Sequence, residues 1–163
     1  MITYKKGDLL SVTEGIIAHG CNAQGVMGSG VAALVKAKYP IAFEQYVADL
    51  EMLAKDEAYM GASPLGYVSL WSPTDLNVVL TNASLLIANC ITQNLFGRDG
   101  SKFVSYDAIH TCFVALERIA KMTGMTINIP RIGAGLGGGD WTVIEAIINS
   151  VCKDSKVVCW DLQ

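Results

Sequence analysis

Basic residues are few in this chain and nowhere run together. Its 163 residues carry 12 Lys and Arg against 15 Asp and Glu, a formal net charge of −3. A protein that wraps nucleic acid shows a basic face and a high pI, so general nucleic-acid binding is not expected. Histidine is scarcer still, with only His19 and His110. The five cysteines (Cys21, Cys90, Cys112, Cys152 and Cys159) are widely spaced and form no Cys-x-x-Cys. A zinc site takes about four ligands at short local spacings, so no metal is expected. Reduced, mostly buried thiols fit a cytoplasmic protein. The opening Met1-Ile-Thr-Tyr-Lys-Lys-Gly7 lacks the apolar stretch of a signal peptide, and no apolar run approaches the ~18 residues of a membrane helix. These absences together predict a soluble cytoplasmic protein with no membrane partner.

Apolar residues and glycine are plentiful. Hydrophobic residues make up 52% of the chain and charged residues 17%, a balance that excludes intrinsic disorder. Of 16 glycines, five fall within Gly133–Gly139. Low basic content does not exclude a small anionic ligand, because backbone N–H groups bind phosphate without side-chain charge.

Strand and helix signals alternate. Ile2–Lys5, Gly15–His19, Tyr67–Trp71, Val78–Thr81, Leu85–Thr92, Thr126–Pro130 and Lys156–Asp161 read as strands. Ser72–Asp75 reads as a turn. Ser29–Lys38 and Ile41–Ala54 read as helices separated at Pro40. Tyr106, Ile109, Phe113, Leu116 and Ile119 mark one face of a long helix that stops at Gly124. Thr142-Val-Ile-Glu145 has the form of a capping box opening a last helix. The alternation predicts one α/β domain, a mixed sheet flanked by helices. Two glycine-bearing loops, Asn22–Gly30 and Arg131–Trp141, each follow a strand and precede a helix, where ligands bind in open α/β sheets.

The second loop literally contains Gly133-x-Gly135-x-x-Gly138. It lies too near the end of the chain for the first βαβ unit of a dinucleotide fold, and no Gly-Lys-Ser/Thr follows it. What remains is an anion cradle or a plain turn. In the first loop, His19 is either a core residue or a proton-transfer group with a suitable pKa. Asn22 is a turn residue or a positioning group. Asp140 is a helix-start acid, or a general acid/base or orienter of His19. Arg98–Lys102 reads as a loop near the site with no assigned role.

At these residues the sequence resembles the macrodomains, ADP-ribose-binding α/β modules. The resemblance rests on Ile2-Thr-Tyr-Lys-Lys-Gly-Asp-Leu9, on His19-Gly-Cys-Asn22 with Met27-Gly-Ser-Gly-Val31, on Tyr39-Pro40, and on Pro130-Arg-Ile-Gly-Ala-Gly-Leu136 through Trp141. It implies a three-layer α/β/α fold with a central mixed sheet. His19 followed by Asn22 is similar to the yeast-type ADP-ribose 1''-phosphate phosphatases, which read His-Ser-Cys-Asn there. Terminal ADP-ribose protein glycohydrolases use a lysine and an aspartate where this chain has Gln93 and Gly137.

The resemblance implies that Asp8 accepts a hydrogen bond from the adenine amino group and that Trp160 lines the adenine; a turn cap and a core tryptophan are the alternatives. Gly28, Ser29 and Gly30 would face the distal ribose and pyrophosphate. Gly133, Ala134, Gly135, Leu136 and Gly137 would wrap the phosphates, with Leu9, Val31 and Ile132 beside these motifs. His19, Asn22 and Asp140 would be catalytic, in a monomer that needs no cofactor. The implied activity is phosphate release from ADP-ribose 1''-phosphate. Removal of ADP-ribose from modified protein or nucleic acid, or ADP-ribose binding without turnover, are the alternatives.

Overall fold

The computed structural model describes residues 1–56, 62–73 and 82–161. Among these, six strands and four α-helices form three layers. The strands are β1 (Thr3–Lys6), β2 (Gly15–Asn22), β3 (Val68–Trp71), β4 (Leu85–Gln93), β5 (Ile127–Ile129) and β6 (Val157–Asp161). The helices are α1 (Gly30–Lys38), α2 (Pro40–Lys55), α3 (Tyr106–Thr123) and α4 (Trp141–Val151). The sheet order is β1-β6-β5-β2-β4-β3, parallel throughout except where β3 runs antiparallel to β4. The strand expected at Val78–Thr81 lies outside the described residues, as does part of the turn expected at Ser72–Asp75.

The central strands β2 and β4 are almost continuously buried, because a parallel sheet is covered on both faces. Side chains alternate between the two layers. Ile16, Ala18, Leu86 and Ala88 pack with Ile109, Phe113 and Leu116 of α3 and Ile144 and Ile148 of α4. Ile17 and Ile87 pack instead with Val35 of α1 and Ala42 of α2. Pro40 opens α2 and keeps Tyr39 out of the helix, so α1 and α2 meet at a sharp corner. Ser105 caps α3 by accepting from the Ala108 N–H, and Gly124 closes it at φ +72°.

The start of α4 corrects the expected capping box. Asp140, not Thr142, is the N-cap, and its carboxylate accepts from the Thr142 N–H at 2.8 Å. Glu145 instead accepts from the Tyr4 hydroxyl at 2.6 Å. An aspartate one residue before the first turn satisfies an orphan donor at shorter reach.

Candidate functional site

The carboxyl ends of β2, β4 and β5 open onto a cavity of about 600 Å³. A second cavity of about 220 Å³ adjoins it, and both are walled by Val31, Pro130 and Arg131. Each glycine loop forms one side of the larger cavity.

Asn22 organises the first loop. Its Oδ1 accepts from the N–H groups of Gln24 and Val26 at 2.9 and 3.3 Å, and its Nδ2 donates to the Val26 carbonyl at 2.7 Å. The buried Tyr46 hydroxyl donates to the Asn22 backbone carbonyl. All polar atoms of the Asn22 side chain are therefore engaged in the loop itself. Ser29 precedes α1 in an extended conformation and makes no side-chain cap, so the first-turn N–H groups of α1 are left to whatever enters the cavity.

The second loop folds on itself through its backbone. Ala134 donates to Arg131, Gly138 to Gly135 and Gly139 to Gly133, at 2.9–3.1 Å. The Gly137 carbonyl accepts from both Phe103 and Val104, tying the loop to the segment between β4 and α3. Gly138 has φ +69°, and a Cβ there would lie 2.7 Å from the Ser101 carbonyl. The N–H groups of Gly135, Leu136 and Gly137 have no acceptor among the described residues. Successive free N–H groups beside a helix start are suited to phosphate oxygens.

His19 stands differently from the expected proton-transfer group. Its side chain is wholly buried and is not part of the cavity wall. The Asn89 amide donates to the Ala42 carbonyl at 3.0 Å, which leaves Asn89 Oδ1 to accept from His19 Nε2–H at 2.7 Å. Burial pushes the imidazole down to about 4, outweighing the upward pull of the Asn89 bond and of the Gly20 backbone. His19 is thus neutral near pH 7 and clamped between β2, β4 and the first turn of α2. Asp140 is likewise outside the cavity wall, exposed, and occupied as the α4 cap. The His19 side chain is thus held in the core and the Asp140 side chain at the start of α4, both outside the cavity wall.

The smaller cavity holds Asp8, Leu9 and Trp160 together. Asp8 accepts from the Leu10 N–H at 2.8 Å, so the turn-cap reading is met while the residue also lines the cavity. Trp160 Nε1 donates to Asn128 Oδ1 at 3.0 Å, which fixes the indole plane. Arg131 forms a two-point ion pair with Asp161, at 2.7 and 2.9 Å, that holds the Asp161 carboxyl below its usual range.

No family model matches the sequence. The chain is 30% identical to an uncharacterized 17.5 kDa protein of Enterobacteria phage T4, across 99% of this chain and 96% of that one. It is 27% identical to an ADP-ribose 1''-phosphate phosphatase of Scheffersomyces stipitis, across 91% of this chain and 93% of the relative. A macrodomain protein from Streptomyces coelicolor superposes with a TM-score of 0.74 at 27% identity, over 99% of both chains. The chain belongs to the macrodomain family. It also matches, at 29% identity over 89% of its length, a DNA ADP-ribosyl glycohydrolase of Mycobacterium bovis, of which the match spans 37%.

In this macrodomain the two glycine loops come together as expected. Gly28, Ser29, Gly30, Val31, Ile132, Gly133, Gly135, Leu136 and Gly137 all line the larger cavity. Ala134 does not, because its methyl packs against the core under α4. Of the third wall, the sequence pointed only to the loop beginning at Arg98, with no role attached to it. Thr92, Gln93, Phe96, Gly97 and Arg98, at and beyond the end of β4, also line the cavity. The signal was present, since β4 is a parallel strand whose carboxyl end must lie at the same edge. Asn89, the partner of His19, had no local signal.

Proposed function

We propose that this macrodomain is a phosphatase acting on ADP-ribose 1''-phosphate. The observation that carries the reading is the pair of loops facing each other across one cavity, with free N–H groups on both sides. Macrodomains bind ADP-ribose, and the Scheffersomyces stipitis relative is named for this phosphatase activity. The adenine would enter the smaller cavity, with Asp8 accepting from its amino group and Trp160 and Leu9 against its ring. The diphosphate would lie between Gly28–Val31 and Ile132–Gly137. The distal ribose and its phosphate would then reach the ends of β2 and β4.

In the reaction, water adds to phosphorus as the bond to the ribose 1'' oxygen breaks. That oxygen takes up a proton and inorganic phosphate leaves. Phosphoryl transfer has a loose transition state, so positioning and charge stabilisation by N–H donors count for more than a strong base. His19 serves as a positioning residue, bracing the end of β2 from which Gly20 and Asn22 shape the distal subsite. Asn22 holds the first loop, and Asp140 anchors the end of the second.

The test is phosphate release from ADP-ribose 1''-phosphate. Turnover is expected, with kcat lowered about tenfold or more in His19→Ala through the displaced loop. Unchanged turnover in that variant removes His19 from the mechanism. Two findings favour other readings. The Mycobacterium bovis relative is named a DNA ADP-ribosyl glycohydrolase, and release of ADP-ribose from modified DNA or protein without phosphatase activity decides for that chemistry. Among the described residues the larger cavity is lined by no carboxylate and no imidazole, and tight ADP-ribose binding without turnover of any of these substrates decides for a binding module.

A further inference from the structure

Two arginines line the larger cavity, and their circumstances are opposite. Arg131 is neutralised by Asp161 and lies over the rings of Tyr4 and Trp141, with its guanidinium carbon 5.4 and 5.6 Å from their centroids. Arg98 has no ion pair, hydrogen bond or ring contact among the described residues. Nearby lysines are also occupied, with Lys102 3.7 Å from the Tyr106 ring centroid and Lys36 3.9 Å from that of Phe43.

The segment carrying Arg98 is hydrogen-bonded on both of its flanks. Phe103 and Val104 donate to the Gly137 carbonyl at 2.9 and 3.0 Å, and Gln93 Nε2 donates to the Leu95 carbonyl at 2.7 Å. Arg98 and Thr92 line only the larger cavity, whereas Asp8 and Trp160 line only the smaller. A ligand with its base in the smaller cavity would extend past Val31 and Pro130 into the larger one, whose wall includes Arg98.

We infer that Arg98 is a specificity-determining residue that binds the phosphate on the distal ribose. This rests on the proposed reading of the site as one for ADP-ribose 1''-phosphate. The backbone cradles account for the diphosphate that phosphorylated and unphosphorylated ligands share. Only a charge at the distal end separates the two, and a guanidinium matches a phosphate with two parallel hydrogen bonds.

The experiment compares wild type, Arg98→Ala and Arg98→Lys. The quantity read is kcat/KM for phosphate release against the inhibition constant of ADP-ribose. Arg98→Ala is expected to lower kcat/KM about 10- to 100-fold while the ADP-ribose constant changes less than about threefold, and Arg98→Lys to restore part of the loss. Equal losses for both ligands, or no loss for either, overturn the assignment. If wild type releases no phosphate, the phosphatase reading itself fails. The ester then survives titration, and calorimetric Kd values for ADP-ribose 1''-phosphate and ADP-ribose supply the same ratio. A ratio that collapses in Arg98→Ala upholds Arg98 as the distal anion reader, and an unchanged one overturns it.

Discussion

The two glycine loops face the same cavity but are held by different means. The first is held by side chains: Asn22 bridges its own loop, Tyr46 reaches it from α2, and His19 and Asn89 brace the strand beneath. The second is held by its own carbonyls and by close approach to the segment before α3. Removing polar atoms should therefore damage the first loop, and adding carbon atoms the second. The lesson concerns the glycines themselves. Several of those between Gly133 and Gly139 exist for close packing of the loop, and fewer for contact with a ligand.

The sharpest way to break this contrast is Gly138→Ala. The residue sits at φ +69°, and its new methyl would lie 2.7 Å from the Ser101 carbonyl and 3.1 Å from Lys102 Cα. Left-handed strain costs about 1–2 kcal/mol and overpacking about 1–3 kcal/mol, so a loss of about 2–5 kcal/mol is expected in urea denaturation. Binding of ADP-ribose should fall with it, because the free N–H groups of Gly135–Gly137 are aimed by this turn. A stable variant with normal ADP-ribose affinity in calorimetry would show that the packing of the second loop is dispensable.

The first loop should instead be sensitive to acid. His19 titrates at about 4 in the folded protein against ~6.5 when unfolded. Between these values the unfolded chain binds more protons than the folded one, so stability rises with pH. Acidification from pH 6.5 to 4 should remove up to about 3 kcal/mol from this residue alone, and below pH 4 the loss levels off. Urea midpoints across that range, in wild type and His19→Asn, give the measure. If the acid dependence is the same in both, His19 is not the group responsible. Hydrogen exchange should show the first loop opening in acid before the second.

Much of the fold was legible because periodicity reports burial directly. The long face Tyr106–Ile119, the buried run of β4 and the break at Pro40 each depend on a few neighbouring residues. The two loops were legible for the same local reason, a strand ending in glycines. What could not be read depends on distant partners. His19 looks like a proton-transfer group until Asn89, 70 residues away, is found occupying its Nε2. Asp140 is the local exception, since the helix-start reading is met by the Thr142 N–H two residues on, at 2.8 Å. The β4 end carries no motif, so the loop beginning at Arg98 could be placed near the site but given no role, and only the topology brings Thr92 to the cavity. Trp160 was undecidable because a half-buried strand position suits both roles, and it lines the smaller cavity while bonded to Asn128.

The finest version of the comparison lies within the second loop. At Gly135 a Cβ would meet nothing within 4 Å, and the backbone is outside the left-handed region. Gly135→Ala should therefore leave stability within about 0.5 kcal/mol of wild type, or raise it slightly by restricting the unfolded chain. Yet Gly135 lines the cavity beside the free N–H groups of Leu136 and Gly137, so its methyl would stand where a phosphate oxygen has to approach. An about tenfold weaker ADP-ribose Kd with an unchanged melting temperature is the expected pairing, since a displaced charged hydrogen bond is worth about 1.5–3 kcal/mol. Unchanged affinity would mean that the ligand does not come close to this part of the backbone, and that Gly135, like Gly138, serves the loop's shape. Reduced stability together with reduced affinity would instead place Gly135 among the packing glycines and narrow the ligand-contacting set to Leu136 and Gly137.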